Sequence, residues 1–295
     1  AEVFSRRFDQ DHIWSSSRLE SYQTCPYFFF SSHVLKLEPR EPPQEGLDAR
    51  QLGNIYHHIF EDLYREVGHN PSLDRLQAAL PVIADRVLDR APRKEGFRRT
   101  AWWEQTREEI KQNISRSLQV LEEIDPSYSF YAAEKTFGIS GKDGPVLILR
   151  GQGSDRLKLR GFIDRVDRDA EGRIRIVDYK TSAPYDFHNQ AVRDGKKLQL
   201  PLYALAAQQA LGLGTVRDGF YFHVRHAQQS RFQMRSYYDE GDRGPSAAMN
   251  RAVGEAWKAV RQIRDGQFVP HVPDNNCPDY CPAAAFCWHY SPRRW

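Results

Sequence analysis

The sequence contains no run of 18 or more apolar residues, and its N-terminus, Ala1 to Gln10, is polar and charged, so neither a membrane-crossing helix nor a secretory leader is visible. A soluble, cytoplasmic chain with no membrane partner is expected. Neither sign of charge dominates: 42 Lys and Arg against 39 Asp and Glu leave a formal net charge of +3. That excludes a protein coated in positive charge, and any nucleic-acid contact has to come from a local basic surface. No Gly-x4-Gly-Lys-Ser/Thr phosphate loop occurs, so the chain itself is not expected to hydrolyse ATP. There is no internal repeat and no low-complexity segment, and the chain starts without Met, as a domain cut from a longer protein would. Cysteine is scarce, with four residues, and in a reducing compartment these would not form structural disulfides. Their placement is therefore informative.

What is present is enough for a sizeable core: 295 residues, 40% hydrophobic and 12% aromatic. A serine run at Ser15 suits the start of a short helix ending near Cys25-Pro26, and a proline-rich connection, Pro39 to Pro43, follows. Leu52, Ile55, Tyr56, Ile59, Leu63 and Val67 recur at helical steps up to Gly68; Leu73 to Val87 repeats the pattern, and a third helix is expected from Trp102 to Ile124. From Glu134 the period becomes two. Strands are expected at Val146 to Leu149, Leu157 to Asp167 and Arg173 to Lys180, then at Gly219 to Val224 and Arg231 to Tyr237. Helices return at Leu198 to Leu211 and Met249 to Ile263, and the last thirty residues form a Pro/Cys-rich tail. The division expected is a mainly helical part at 1–130, a sheet-containing core at 131–240, and a C-terminal helix and tail at 241–295.

The stretch from Gly161 to Thr181 reads as a β-hairpin turning at Ala170-Glu171-Gly172, with Gly172 at the left-handed third position of the loop. In that register Asp169 faces Arg173, which places Asp164 opposite Asp178, two carboxylates on one face about 5 Å apart at Cβ. Alternation puts Lys180 on the same side. Like charges held so close call for a cation, and an all-oxygen site suits Mg²⁺ or Mn²⁺. A lone Asp-x-Lys is more often a solvated pair, but Ile174, Ile176 and Val177 make this strand too apolar for two exposed faces.

An Asp followed by a spaced Asp-x-Lys, as Gly-Phe-Ile-Asp164-Arg and Val-Asp178-Tyr-Lys180-Thr, resembles the PD-(D/E)XK nucleases, and in particular their RecB-like branch. Gly53-Asn-Ile-Tyr-His57 resembles that branch's first motif, and Gln199-Leu-Pro-Leu-Tyr203 its last. The signature proline is Ile163 here. The resemblance implies an α/β, restriction-endonuclease-like fold: a mixed central β-sheet flanked by helices, with a helical N-terminal region and a Cys-rich tail. It implies that Asp164, Asp178, the carbonyl of Tyr179 and His57 bind Mg²⁺ or Mn²⁺. Lys180 would orient or deprotonate the attacking water, and Gln199 and Tyr203 would assist catalysis or position DNA.

Cys277-x3-Cys281-x5-Cys287 gathers three thiols in the tail, with Cys25 some 250 residues earlier. Four thiolates accept either Zn²⁺ or a [4Fe–4S] cluster, and the count does not decide. The arrangement is similar to that of AddB-type helicase–nucleases, which implies [4Fe–4S] at Cys25, Cys277, Cys281 and Cys287; their usual spacing begins Cys-x2-Cys. Arg86, Arg90, Arg93, Lys94, Arg98 and Arg99 precede Trp102-Trp103, a mixture that suits a single strand as well as it suits a solvated helix end with two core tryptophans. The expectation is a metal-dependent deoxyribonuclease acting on single-stranded DNA in double-strand break processing, beside a helicase motor or partner subunit. The competing class is a non-catalytic iron–sulfur module on a decayed nuclease fold, binding DNA or a protein.

Overall fold

The computed structural model describes residues 2–39, 46–68, 71–142, 144–272 and 276–291; most of the proline-rich connection after Pro39 lies outside them. Its helices are α1 (Glu2–Arg7), α2 (Ser16–Thr24), α3 (Pro26–Phe29), α4 (Ala49–Val67), α5 (Leu73–Glu95), α6 (Trp103–Glu123), α7 (Asn189–Arg193), α8 (Gln199–Leu205) and α9 (Gly244–Arg264). Its strands are β1 (Ile13–Ser15), β2 (Ser129–Phe137), β3 (Leu147–Arg150), β4 (Arg156–Arg168), β5 (Ile174–Lys180), β6 (Val216–His223), β7 (Gln228–Gln233), β8 (Tyr238–Asp239) and β9 (Asp242–Arg243).

The central sheet runs β1-β4-β5-β6-β7, with β2 and β3 also paired to β4. It is mixed: β1 lies parallel to β4 and β6 parallel to β5, while β2, β3 and β5 pair antiparallel with β4, and β7 with β6. Helices cover both faces, as expected. On one face Ile55, Ile59 and Leu63 of α4 pack with apolar side chains of α5 and α6 against Val177, Tyr179, Phe220 and Phe222. On the other, Leu19, Leu200, Ala252 and Trp257 of α2, α8 and α9 pack against Val166, Ile174, Ile176 and Tyr221. β5, buried between two helical layers, has to be apolar on both sides.

The hairpin register is the expected one. The pairs run from Arg168↔Ile174 to Arg165↔Val177, Asp169 N–H donates to the Arg173 carbonyl at 3.0 Å, and Gly172 takes φ +78°. One step further along this ladder brings Asp164 opposite Asp178. Under the first helical layer, Asp167 accepts from Arg165 Nε at 2.6 Å and Arg175 Nη2 at 2.7 Å, all three buried. Two guanidiniums sharing one carboxylate lock the strands together, and removing Asp167 would leave both cations uncompensated.

Several elements differ from expectation. The helix expected to end near Val87 continues to Glu95, stopped by Gly96 at φ +76°. Leu198 to Leu211 is α-helical only to Leu205 and then widens into a π-turn over Ala206–Ala210. Arg231 to Tyr237 is displaced: β7 ends at Gln233, and a 3₁₀ turn spans Met234–Ser236. Ser15 sits at the start of α2 without capping it, its hydroxyl 3.0 Å from that of Ser17. β1 and β2 were not among the expected strands.

Candidate active site

The site forms where the two helical layers meet, at the C-terminal end of β5. β5 delivers Asp178 and Lys180, whose alternation turns both toward the α8 side, and their side chains form an ion pair. Asp178 is 1% exposed, and the Lys180 ammonium against its Oδ2 is its only charged partner among the described residues. A buried carboxylate is tolerated only with such a counter-charge. Lys180 Nζ also donates to Gln199 Oε1 at 2.8 Å. Burial works against the lysine's charge, but Asp178 and Asp164 outweigh it and hold its pKa above the usual value.

Asp164 stands on β4. Its Oδ2 accepts the Tyr179 N–H at 2.7 Å, and its Oδ1 lies 3.5 Å from Nδ1 of His57, borne by α4. Burial, relieved in part by His57 and reinforced by Asp178, pushes its pKa up to about 6. Tyr179 therefore meets the site through its backbone, while its ring stacks on Phe60 at 4.3 Å in the core. Gly53, one helical turn before His57, faces Thr181, whose Oγ1 would lie 3.8 Å from a Cβ there, an ordinary contact that a side chain could make.

A further acid was not foreseen. Glu134 on β2 falls opposite Asp164, between the pairs Ala133↔Arg165 and Lys135↔Ile163. Single ligand atoms of His57, Glu134 and Asp164 all lie within 4.8 Å of one another. Glu134 adopts φ +48°, a left-handed conformation that costs a non-glycine residue about 1–3 kcal/mol and clusters at functional sites. The distortion coincides with a break in the alternation of β4: Leu157, Leu159 and Ile163 pack in the same core as Val166. Burial, together with the charges of Asp164 and Glu61, drives the Glu134 pKa to about 8. Nothing in the local sequence marks this residue, because β2 is half-buried along most of its length and shows no period of two.

The N-terminal end of α8 is held by Glu20 of α2, whose Oε1 accepts the amides of Leu198 at 2.6 Å and Gln199 at 2.8 Å. A carboxylate is well suited to the positive end of a helix. Glu20 so fixes Gln199, and Gln199 fixes Lys180. Tyr203, one turn along, has a different environment: its ring lies over β4, where a Cβ on Gly161 would come within 2.6 Å of Cε1, and burial pushes its pKa to about 12. Gly161 is needed because the ring occupies that space. His58 faces outward between Glu61, at 3.6 Å, and Glu95, at 3.9 Å.

The chain matches a known family over almost its whole length: the model of the PD-(D/E)XK nuclease superfamily fits residues 13–288. The chain belongs to this superfamily. Among curated relatives, an ATP-dependent helicase/deoxyribonuclease subunit from Moorella thermoacetica is 34% identical over 228 residues, 72% of this chain and 19% of that protein. Its counterpart of the same name from Geobacillus kaustophilus is 30% identical over 237 residues, again 72% and 19%. The exonuclease/helicase protein RexB of Lactococcus lactis is 28% identical over 204 residues, 68% and 17%. The chain thus spans about a fifth of the length of these relatives.

The four cysteines, the other candidate centre in this superfamily member, converge although 252 positions separate Cys25 from Cys277. None is in a disulfide, and all four line one small cavity together with Phe28, His271 and Tyr290. Cys25 ends α2, and its Sγ accepts the His271 N–H at 3.4 Å; Cys277 Sγ accepts the Ser291 N–H at 3.3 Å. Burial, with the other three thiols adding to it, raises the Cys281 pKa. Among the described residues no helix is long and apolar enough to cross a membrane.

Proposed function

We propose that this chain is a divalent-metal-dependent deoxyribonuclease, cleaving phosphodiester bonds of single-stranded DNA within a helicase–nuclease that processes double-strand breaks. The observation that carries it is the convergence of His57, Glu134 and Asp164, with ligand atoms within 4.8 Å of one another, beside the buried Asp178–Lys180 ion pair, and with the pKa values of Glu134 and Asp164 pushed to about 8 and 6. Such a set is relieved by a cation with hard oxygen ligands, which fits Mg²⁺ or Mn²⁺. Asp164, Asp178, His57 and the Tyr179 carbonyl would hold it, with Glu134 as an additional donor. Bound there, it supplies a Lewis acid and a hydroxide-generating centre near neutral pH.

The chain's own contribution is placement. Lys180, beside Asp178 and held by Gln199, would donate to the phosphate oxygens and orient or deprotonate the attacking water. Gln199 holds the ammonium in place. The helicase motor and any partner protein lie in the part of such an assembly outside this chain.

At the cysteines we propose a [4Fe–4S] cluster, with Zn²⁺ as the competing occupant. Four cysteines lining one cavity, none of them in a disulfide, support a four-thiolate group, whose function would be to tie α2 to the tail. Manganese titration followed by electron paramagnetic resonance tests the carboxylate centre: the chain should take up Mn²⁺, Asp164→Ala should not, and equal uptake by both would refute the assignment.

A further inference from the structure

The two adjacent tryptophans have opposite fates. Trp103 is buried, 3% exposed, with its ring edge-on to Phe97 at 4.9 Å; Trp102 is 71% exposed. The Trp102 backbone is pinned, its carbonyl accepting from Thr106 N at 2.9 Å and Thr106 Oγ1 at 3.0 Å. Among the described residues its indole makes no ring contact and no hydrogen bond. It lines a cavity of about 330 Å³ with Leu47, Leu52, Phe97, Arg98 and Trp103, between the start of α4, the end of α5 and the start of α6.

Charge and position say what fits there. Arg93, Lys94, Arg98 and Arg99 are exposed and have no ion-pair partner among the described residues, while the one acid among them, Glu95, turns inward to Asn54 at 2.8 Å. A cavity lined by apolar side chains and an exposed indole, with cations at its rim, suits an unstacked base of a single strand whose phosphates pass the arginines.

We propose that this cavity seats one base of the single-stranded DNA, stacked on Trp102, with Arg98 and Arg99 on the flanking phosphates; this rests on the nuclease function proposed above.

The test uses the full chain and a labelled oligodeoxynucleotide, bound to the Asp178→Ala form so that nothing is cut. Affinity is read by fluorescence anisotropy with Trp102 intact or replaced by Ala or Phe. Trp102→Ala should weaken binding about 10- to 100-fold, the loss of one base–aromatic stack, and Trp102→Phe should keep most of the affinity. A single abasic site moved along the oligonucleotide should reproduce that loss at one position only, and there the Ala substitution should add nothing. Unchanged affinity in Trp102→Ala overturns the proposal, as does an equal effect of the substitution on intact and abasic strands, which would mean another occupant. Because binding is read without cleavage, an inactive wild-type chain that still shows the abasic signature would refute the nuclease reading and leave the base seat standing.

Discussion

Glu134→Gln separates the cost of the carboxylate cluster from its use. In the folded chain the Glu134 pKa lies near 8, against an ordinary 4.5. Below about pH 4.5 the side chain is protonated in both folded and unfolded chains, and it costs nothing. As the pH rises toward 8 the unfolded chain releases the proton while the folded one retains it, so stability is lost across that window and levels off above it. At about 1.4 kcal/mol per unit the loss is at most about 5 kcal/mol, and partial exposure of the site reduces it to about 1–3 kcal/mol. Glutamine does not titrate and keeps the shape. In EDTA, therefore, Glu134→Gln should match the wild type near pH 5 and exceed it by several degrees in Tm at pH 8.5. Saturating Mn²⁺ should reverse that order, because only the wild type gains a full set of ligands. Thermal denaturation of both proteins at pH 5, 7 and 8.5, with and without metal, measures all of this. Parallel stability curves across pH in EDTA would refute the reasoning.

Glu20→Ala should lower kcat about tenfold with little change in KM, since it releases the amides of Leu198 and Gln199, while Glu20→Gln, which still accepts both, should restore most of the rate; equal rates in all three chains would show that α8 is held otherwise. Gly161→Ala should cost about 1–3 kcal/mol by forcing the Tyr203 ring aside, measured by urea denaturation, and Tyr203→Ala should abolish that penalty in the double variant. Protein purified without oxygen should be brown, with about four irons per chain; Cys25→Ala should be colourless and quickly cleaved by trypsin, and a variant that kept its iron would show Cys25 to be an ordinary thiol. Metal affinity should climb between pH 6 and 8 as Asp164 and Glu134 shed their protons, with proton release on Mn²⁺ binding counted by calorimetry in two buffers.

Local rules made part of the site legible. Gly172 in a three-residue turn fixes the β4–β5 register, and register alone brings Asp164 and Asp178 together and turns Lys180 toward them. The pairing of Cys25 with the distant three could be suspected from the clustering of Cys277, Cys281 and Cys287 in a chain with only one other cysteine. Glu134 could not be read in the same way. Its place depends on β2 pairing with β4 across some thirty residues and on a left-handed backbone that no propensity favours. Glu20 looked like an ordinary polar position on α2; its role appears only when α8 docks end-on against it. The Trp102-Trp103 pair was ambiguous for a related reason: two neighbouring aromatics at a helix start differ in burial only once α5 and α6 have packed.

The central claim is that Asp164, Asp178 and Lys180 cleave DNA with a divalent cation, and cleavage of a single-stranded oligodeoxynucleotide tests it most directly. Wild type, Asp178→Ala and Lys180→Ala are stripped with EDTA, confirmed to be folded, and assayed before and after Mg²⁺ or Mn²⁺ is restored. The account predicts no cleavage by any stripped protein, recovery by the wild type alone, and a loss of at least about a thousandfold in each variant, since each lacks a group acting on the reacting phosphate. Cleavage that survives chelation, or that both variants retain at the wild-type rate, would contradict it.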